Sequence, residues 1–433
     1  MAFSLEPYPY DRLNGIRNLA SKHAGGAIDL SVGSPIDPPP DAALQALAMS
    51  EDMSEDISSY PPSVGTLAYR EACASWLSRR FGVSMDAGNI GACIGTKEFV
   101  ASLPGYLRLL HESRGAGSAD EEGSRDSAVG SRNVGNKELG NRDVGNRDGA
   151  GGNRDGAVGN RDTVLFPELS YPTYSMGARL AGLRAVGVPA GGRAALESIS
   201  PEDRDRALLL WVNSPSNPTG MLSELPVYAE WGREHGILVV SDECYADYIW
   251  NDEGWPHTIL DSSDGTHGLD GVLAVHSLSK RSNFAGARAG FYTGDPSVVA
   301  FLVELRKHAG LMVPAPIQAA AIAALADDNH VVRQRDIYYS RLVRLVDILS
   351  ALGIEATLPQ GSFYLWVKVP LSMGDCWDMT EWLAVTLGIV VSPGEFYGIG
   401  GKGHVRIAAV VSEENLATLV QRLANNHGFP PAR

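Results

Sequence analysis

A lone lysine among serines, glycines and an arginine is the chain's strongest chemical signal. It lies in His276-Ser277-Leu278-Ser279-Lys280-Arg281-Ser282-Asn283-Phe284-Ala285-Gly286-Ala287-Arg288, directly after the apolar run Val272 to Val275. An amine at the end of a buried strand can form a Schiff base with the carbonyl of a cofactor. Beside it, the hydroxyls of Ser277 and Ser279 and the guanidinium of Arg288 can bind a phosphate dianion. A solvated Ser/Lys turn has the same composition, so this stretch alone leaves both readings open.

Other candidates also end apolar runs. Ala207 to Val212 leads into Asn213-Ser214-Pro215-Ser216-Asn217-Pro218-Thr219-Gly220, a dense set of turn formers that presents the amide of Asn217. Ile237 to Val240 leads into Ser241-Asp242-Glu243-Cys244-Tyr245. A buried Asp242 needs a partner; a protonated ring nitrogen would serve, and a cap on the next turn is the plain alternative. Ile90 to Ile94 precedes Gly95-Thr96-Lys97-Glu98 at a helix start, where free N–H groups and the helix dipole favour an anion. Thr96 could equally be a simple N-cap there. Tyr171, after the strand Thr163 to Phe166, can stack on a flat ring or pack in a core. Gly33 ends the run Ile28 to Val32 and allows close approach of a ligand, or merely a turn. Arg406 stands inside the apolar strand His404 to Ala409 and calls for a carboxylate, from a substrate or a structural salt bridge.

The elements that must position these residues alternate. Between about 90 and 300, strands alternate with helical stretches, the pattern of an α/β fold with a mostly parallel sheet flanked by helices. In such sheets ligands sit beyond the C-terminal ends of the strands, where Thr96, Tyr171, Asn217, Asp242, Tyr245 and Lys280 all fall. Helices are expected at Asp41 to Ala48, Leu67 to Phe81, Phe99 to Leu110, Met176 to Leu183 and Leu225 to His235. Beyond Phe291 come helices over Ser297 to Lys307, Ala315 to Ala326, His330 to Leu352 and Trp382 to Leu387. Strands at Ile354 to Leu358, Ser362 to Val369 and His404 to Ala409 complete a smaller α/β lobe. Arg306 and Lys307 read as a solvated helix end. Gly115 to Asp162 is different in kind: Gly-Asn-Arg-Asp recurs from Gly140, Gly145, Gly152 and Gly159, with no apolar periodicity to offset ordering. It reads as a flexible surface insertion whose spacing fits no metal loop.

Bulk properties exclude several classes. A net charge of −15 argues against nucleic acid or an anionic membrane as partner. No apolar run approaches the roughly 20 residues of a membrane helix, and the N-terminus lacks a basic-then-apolar signal pattern. The 4 cysteines are scattered, with no CxxC pair, and read as reduced thiols of a cytoplasmic protein without a metal site. Hydrophobic residues, 44% of the total, suffice for sizeable cores.

Taken in order, these motifs resemble the class I/II pyridoxal-phosphate aminotransferases of fold type I. The resemblance covers nearly the whole chain apart from the insertion. It implies roles for particular residues. Lys280 is similar to the Schiff-base lysine, Asp242 of SDECY to the partner of the pyridine nitrogen, and Asn217 of NSPSNPTG and Tyr245 to the contacts of the phenolic oxygen. Ser277, Ser279 and Arg288 resemble phosphate ligands, together with Gly95, Thr96 and Lys97 of IGTKE. Tyr171 resembles the ring-stacking aromatic, and Tyr60 a phosphate contact made across a homodimer interface. Gly33 and Arg406 resemble the residues that hold the substrate α-carboxylate, with Asn217 beside them. The implied division is an N-terminal arm and part of a small domain over 1–47, a large cofactor-binding domain over 48–296, and a small C-terminal domain over 297–433. Longer stretches, among them DLSVGSPIDP, YPPSVGTLAYREA and HSLSKRSNFAGARAGF, are similar to N-succinyldiaminopimelate aminotransferases of lysine synthesis. That implies pyridoxal 5'-phosphate as cofactor and an amino donor and 2-oxoglutarate as substrates. Aspartate, aromatic or unacylated diaminopimelate donors, and C–S lyase chemistry, remain as alternatives on the same scaffold. A ligand-sensing regulator of this fold would carry an added DNA-binding domain, which is not expected here. Ala287 is smaller than the residue such proteins carry before the arginine.

Overall fold

In the computed structural model, residues 8–48, 58–123, 161–250, 258–261 and 268–425 are described, side chains excepted over 115–123. Their centre is a seven-stranded sheet in the order β2-β8-β7-β6-β5-β3-β4. Its strands are β2 (Ile90–Cys93), β3 (Thr163–Pro167), β4 (Arg184–Val188), β5 (Ala207–Asn213), β6 (Leu238–Asp242), β7 (Val272–Ser277) and β8 (Gly290–Gly294). Only β8 runs antiparallel to its neighbours; the other pairings are parallel. β5 and β7 are buried along their whole length, as continuous apolar runs demand when helices cover both faces. Successive residues point to opposite faces. Leu210, Val212, Val239 and Ala274 join one core, and Leu209, Trp211, Val240 and Leu273 the other. Each large side chain buried this way contributes on the order of 2 kcal/mol.

The helix Leu67–Phe81 is capped by Thr66, whose side chain accepts from the Tyr69 N–H, and stops at left-handed Gly82. Tyr69, Cys73, Trp76 and Leu77 form its buried face, as the 3.6-residue period predicts. The helices Asp41–Ala48, Leu225–His235 and Ala315–Ala326 have the expected bounds.

A smaller unit packs its own core around the helix Asn329–Ala351, with Tyr338, Leu342, Leu345 and Leu349 turned inward. Its antiparallel sheet has the order β11-β12-β9, from β9 (Tyr364–Lys368), β11 (Ser392–Pro393) and β12 (His404–Ala408). The N-terminal segment joins it through β1 (Ile28–Asp29), which pairs in parallel with β10 (Ile389–Val390). That strand is shorter than the expected Ile28 to Val32, because after Leu30, still bonded to Val390 and Ala408, the chain turns away to run over the site.

Some expectations are corrected. Ile354 to Leu358 is not a strand; Ile354 is buried, but the segment finds no ladder partner before Pro359. The sequence reading omitted β4 and β8, the latter because Gly290 and Gly294 hide its pattern. The central part of the Gly-Asn-Arg-Asp insertion, 124–160, lies outside the described residues, but both borders are more ordered than composition suggested. The helix from Thr96 continues to Gly123. At the other end, Arg161 donates to the carbonyls of Ala207 (2.7 Å) and Gly236 (2.8 Å). Asp162 accepts from Arg206 at 2.9 Å. The last repeat is thus anchored by charge to carbonyls at a helix end rather than by apolar burial.

Candidate active site

Strand register brings the site together. Asn213 at the end of β5 lies beside Asp242 at the end of β6, and Asp242 beside Val275 of β7, which runs on to Ser277 and Lys280. A cavity of about 500 Å³ opens beyond these ends. Gly33, Thr96, Lys97, Tyr171, Asn217, Asp242, Tyr245, Ser277, Ser279, Lys280, Arg288 and Arg406 all line it. Gly95 is not among the lining residues and lies behind them, against the Arg288 guanidinium. Tyr60 does not reach it and is 92% exposed.

Asp242 is buried and held on both oxygens, by the Tyr174 hydroxyl at 2.8 Å and by the Cys244 N–H at 3.2 Å. Burial pushes its carboxyl above the ordinary range, with those hydrogen bonds and Lys280 pulling the other way. Asn213 fastens two strand ends, donating to the Asp242 carbonyl at 2.8 Å and accepting from the Asn217 N–H at 2.7 Å. Neither Tyr174 nor Asn213 was singled out from sequence. Tyr174 shares a helical turn with Tyr171, and Asn213 opens the turn-former run, so both signals were present but mute about direction.

Lys280 sits in a single-turn helix, Leu278–Arg281, N-capped by Ser277, whose oxygen accepts from the Ser279 N–H at 3.1 Å. The Tyr248 hydroxyl donates to the Lys280 carbonyl at 2.9 Å and fixes the turn from behind. The ammonium donates to the Gly33 carbonyl. Withdrawal from water lowers Lys280 to about 8, with Arg406 and Arg288 adding to the effect and Cys244 and Asp242 opposing it.

Opposite lies an anion cradle. Arg288, in a left-handed conformation, turns its guanidinium toward Ser279 (3.5 Å) and the Ile94 carbonyl (3.4 Å). Gly95 has φ +70°, and a Cβ there would stand 2.2 Å from the guanidinium, so only glycine fits. The helix from Thr96 begins at this place, with Thr96 lining the cavity, and a helix start favours an anion. Glu98 supports this loop: it accepts from the Ile94 N–H at 3.3 Å and takes a bidentate pair from Arg306 at 2.9 and 2.8 Å. Arg306 is 1% exposed, which corrects the reading of a solvated helix end; Lys307 does stand in solvent, paired with Glu304 at 2.6 Å. A guanidinium buried beside a carboxylate cannot be told from a solvated one by helical spacing. Lys97 points elsewhere, toward the Tyr8 ring at 5.0 Å. Partial burial works against its charge, but the oxygens of Tyr171 and Tyr8 raise its pKa above the ordinary value.

The third wall holds Arg406. Its guanidinium donates to the Asn217 side-chain oxygen at 2.8 Å and the Ser31 carbonyl at 2.6 Å. It lies between the rings of Tyr364 (4.1 Å) and Tyr397 (4.8 Å). Burial opposes its charge; the surrounding phenols of Tyr10, Tyr397, Tyr364 and Tyr245 outweigh that and raise it. Tyr364, which sequence reasoning missed, also shares a 2.8 Å hydrogen bond with Tyr245. A Cβ on Gly33 would collide with its hydroxyl at 1.9 Å, so glycine there makes room for that phenol.

A buried carboxylate, a lysine of lowered pKa, a phosphate-sized cradle and a caged arginine around one cavity are the parts of a transaminase. The chain belongs to the class I and II aminotransferases: the family model for "Aminotransferase class I and II" matches residues 154–423. It is 39% identical over 425 residues to 4-dedimethylamino-4-oxo-anhydrotetracycline transaminase OxyQ of Streptomyces rimosus, covering 97% of this chain and 99% of that one. An LL-diaminopimelate aminotransferase of Desulforudis audaxviator is 30% identical, with 97% and 95% covered. Among solved structures, a probable N-succinyldiaminopimelate aminotransferase from Thermus thermophilus superposes with a TM-score of 0.72 at 27% identity, with 96% and 99% covered. The protein is a pyridoxal-phosphate-dependent aminotransferase. The site fits that cofactor on its own geometry, since Asp242 is a buried carboxylate suited to a cationic ring nitrogen and Gly95, lacking a Cβ, lets the Arg288 guanidinium lie beside the start of the helix from Thr96.

Proposed function

We propose that the enzyme takes its amino group from N-succinyl-L,L-2,6-diaminopimelate and passes it to 2-oxoglutarate, in lysine and diaminopimelate synthesis. The observation that carries this reading is a second cation. Beyond Arg406, which suits the α-carboxylate, Lys97 stands at the exposed side of the same cavity between Tyr8 and Tyr171. A donor with a remote carboxylate would use both. Lys97 is therefore assigned to the distal end of the substrate rather than to phosphate. Similarity to diaminopimelate aminotransferases over almost the whole chain supports the same class.

Pyridoxal phosphate, when bound, supplies an electron sink conjugated with the substrate α-carbon. The chain's residues do the rest. Asp242 holds positive charge on the ring nitrogen. Asn217 and Tyr245 would contact the phenolic oxygen; Thr96, Ser277, Ser279, Arg288 and the N–H groups after Gly95 would take the phosphate. Tyr171 covers the ring face. Arg406, braced by Asn217, orients the α-carboxylate and so selects the bond that breaks. Lys280 would anchor the cofactor, and its free amine would move the α-proton as base and then acid. Tyr60, on the surface of one chain, would meet the phosphate of a second copy in a homodimer. The N-terminal arm joins a small C-terminal domain beside a large cofactor-binding domain, as β1 pairing with β10 suggests.

A second reading has its own support. The Streptomyces transaminase is named for an oxo-anhydrotetracycline, and Tyr8, Tyr10, Tyr171 and Tyr364 would suit a flat substrate. Glutamate-coupled turnover with N-succinyl-L,L-diaminopimelate, unacylated diaminopimelate, N-acetylornithine, aspartate and phenylalanine tests both. Preference for the succinylated donor is expected. Preference for phenylalanine would overturn it in favour of the aromatic reading, and pyruvate release from cystathionine without transamination would indicate a lyase.

A further inference from the structure

The segment Ser31 to Pro38 crosses the mouth of the site without regular secondary structure, with Val32 and Ile36 in solvent. Several ties hold it. The Ser31 carbonyl accepts from Arg406 at 2.6 Å and from the Ser392 hydroxyl at 2.8 Å, and the Gly33 carbonyl accepts from the Lys280 ammonium. The Asp37 carboxylate accepts two bonds from Arg341, at 2.6 and 2.7 Å, and one from Gln334 at 2.9 Å. Gln334 in turn accepts from Asn283 at 2.9 Å, three residues beyond Lys280, and Asn283 also donates to the Pro38 carbonyl at 3.3 Å.

The Arg406 and Lys280 bonds use groups the chemistry requires, and the Ser392 bond holds only the start of the segment. Lys280 cannot keep its bond to Gly33 while anchoring the cofactor, and Arg406 must turn donors toward a substrate carboxylate. The Asp37 tie uses no reacting group. Arg341 leaves the helix Asn329–Ala351 with its side chain 5% exposed, and Asp37 with its side chain 18% exposed. Its planar fork, buried and bidentate, holds a fixed geometry that a surface pair would not.

We propose that Asp37 is a positioning residue for substrate: through Arg341 and Gln334 it keeps the Gly33 segment closed over Lys280 and Arg406 throughout turnover. Segment and lysine loop are then fixed to one helix, so a carboxylate substrate meets a preformed wall and less ordering is left to binding. This deepens the reading above, because it takes Lys280 and Arg406 in their proposed roles.

The test uses the full-length holoenzyme. Asp37→Asn is expected to raise KM about tenfold for both 2-oxoglutarate and the best donor, with kcat changed less than about threefold, the scale of one lost charge-assisted contact. The Kd of glutarate, a non-reacting dicarboxylate followed by the absorbance of the bound cofactor, should rise by the same factor, while cofactor affinity stays unchanged. An ion pair that merely stabilises the fold would lower Tm and leave KM and the glutarate Kd within about twofold of the parent, and that result would overturn the proposal. If Asp37→Asn does not fold, the same split is read on Gln334→Met, which keeps the ion pair; about a threefold rise is expected and no rise overturns it. Glutarate binding needs no amino donor, so a wrong donor assignment would not disguise the outcome.

Discussion

The two halves of the site are built differently. The half proposed to hold the cofactor grows from one sheet: Asn213 reaches Asp242 across 29 residues of sequence and Tyr174 reaches it across 68. The half proposed to hold substrate is assembled from distant parts of the chain. Arg406 reaches Ser31 across 375 residues, Arg341 reaches Asp37 across 304, and Tyr10 shares a hydrogen bond with Tyr397 across 387. Adjacent strand ends are set by backbone ladders, so cofactor residues are presented rigidly. The substrate wall depends on side chains meeting across units, where one lost contact loosens more than itself. Chemistry should therefore fail on one side, and affinity on the other.

The largest effect tests the cofactor half. Lys280→Ala should lose on the order of 10⁴-fold or more in kcat in glutamate-coupled turnover, since a base and anchor disappear together. Substantial turnover without added amine would break the assignment of that half. Arg406→Lys should fall mainly on the other side of the comparison. A lysine cannot make both the Asn217 and Ser31 bonds in one plane, so KM should rise about 10- to 100-fold for donor and acceptor alike, with a smaller change in kcat. Equal losses in kcat and kcat/KM would erase the distinction between the halves. The smallest effect is one of pH. With Lys280 lowered to about 8, the neutral amine that captures cofactor accumulates as pH rises through about 8 rather than through the ordinary 10.5. Stopped-flow mixing of cofactor-free protein with pyridoxal phosphate should show capture speeding up over that range and levelling above it. A rate still climbing steeply at pH 10 would mean that the pocket does not desolvate the lysine.

Legibility followed the same division. Lys280, Asp242, Asn217 and Arg288 lie in short motifs at the ends of apolar runs, where a polar residue has few other reasons to be, and all four line one cavity. The helix Leu67–Phe81 was equally legible, because burial of one face imposes its period. Tyr364, Arg341, Asp37 and Tyr174 carried no such mark. A tyrosine inside a strand or an arginine on a long helix has the same local pattern whether it faces solvent or a site. The extension of the expected helix past Leu110 to Gly123 and the anchored Arg161 were missed because composition reports only the absence of a core, and charge can order a segment border without one.

The sequence by itself determined the βα alternation, the two faces of the main sheet and the position of Lys280 past a strand end. Those follow from periodicity and from the cost of burying polar groups, which act over a few residues. Only the tertiary structure decided that Arg306 supports the anion loop, that Lys97 turns toward tyrosines, and that Asp37 ties the Gly33 segment to a distant helix. A charged side chain takes its role from the partner it meets, and for these residues the partner lies far away in the chain, well beyond the reach of local pattern.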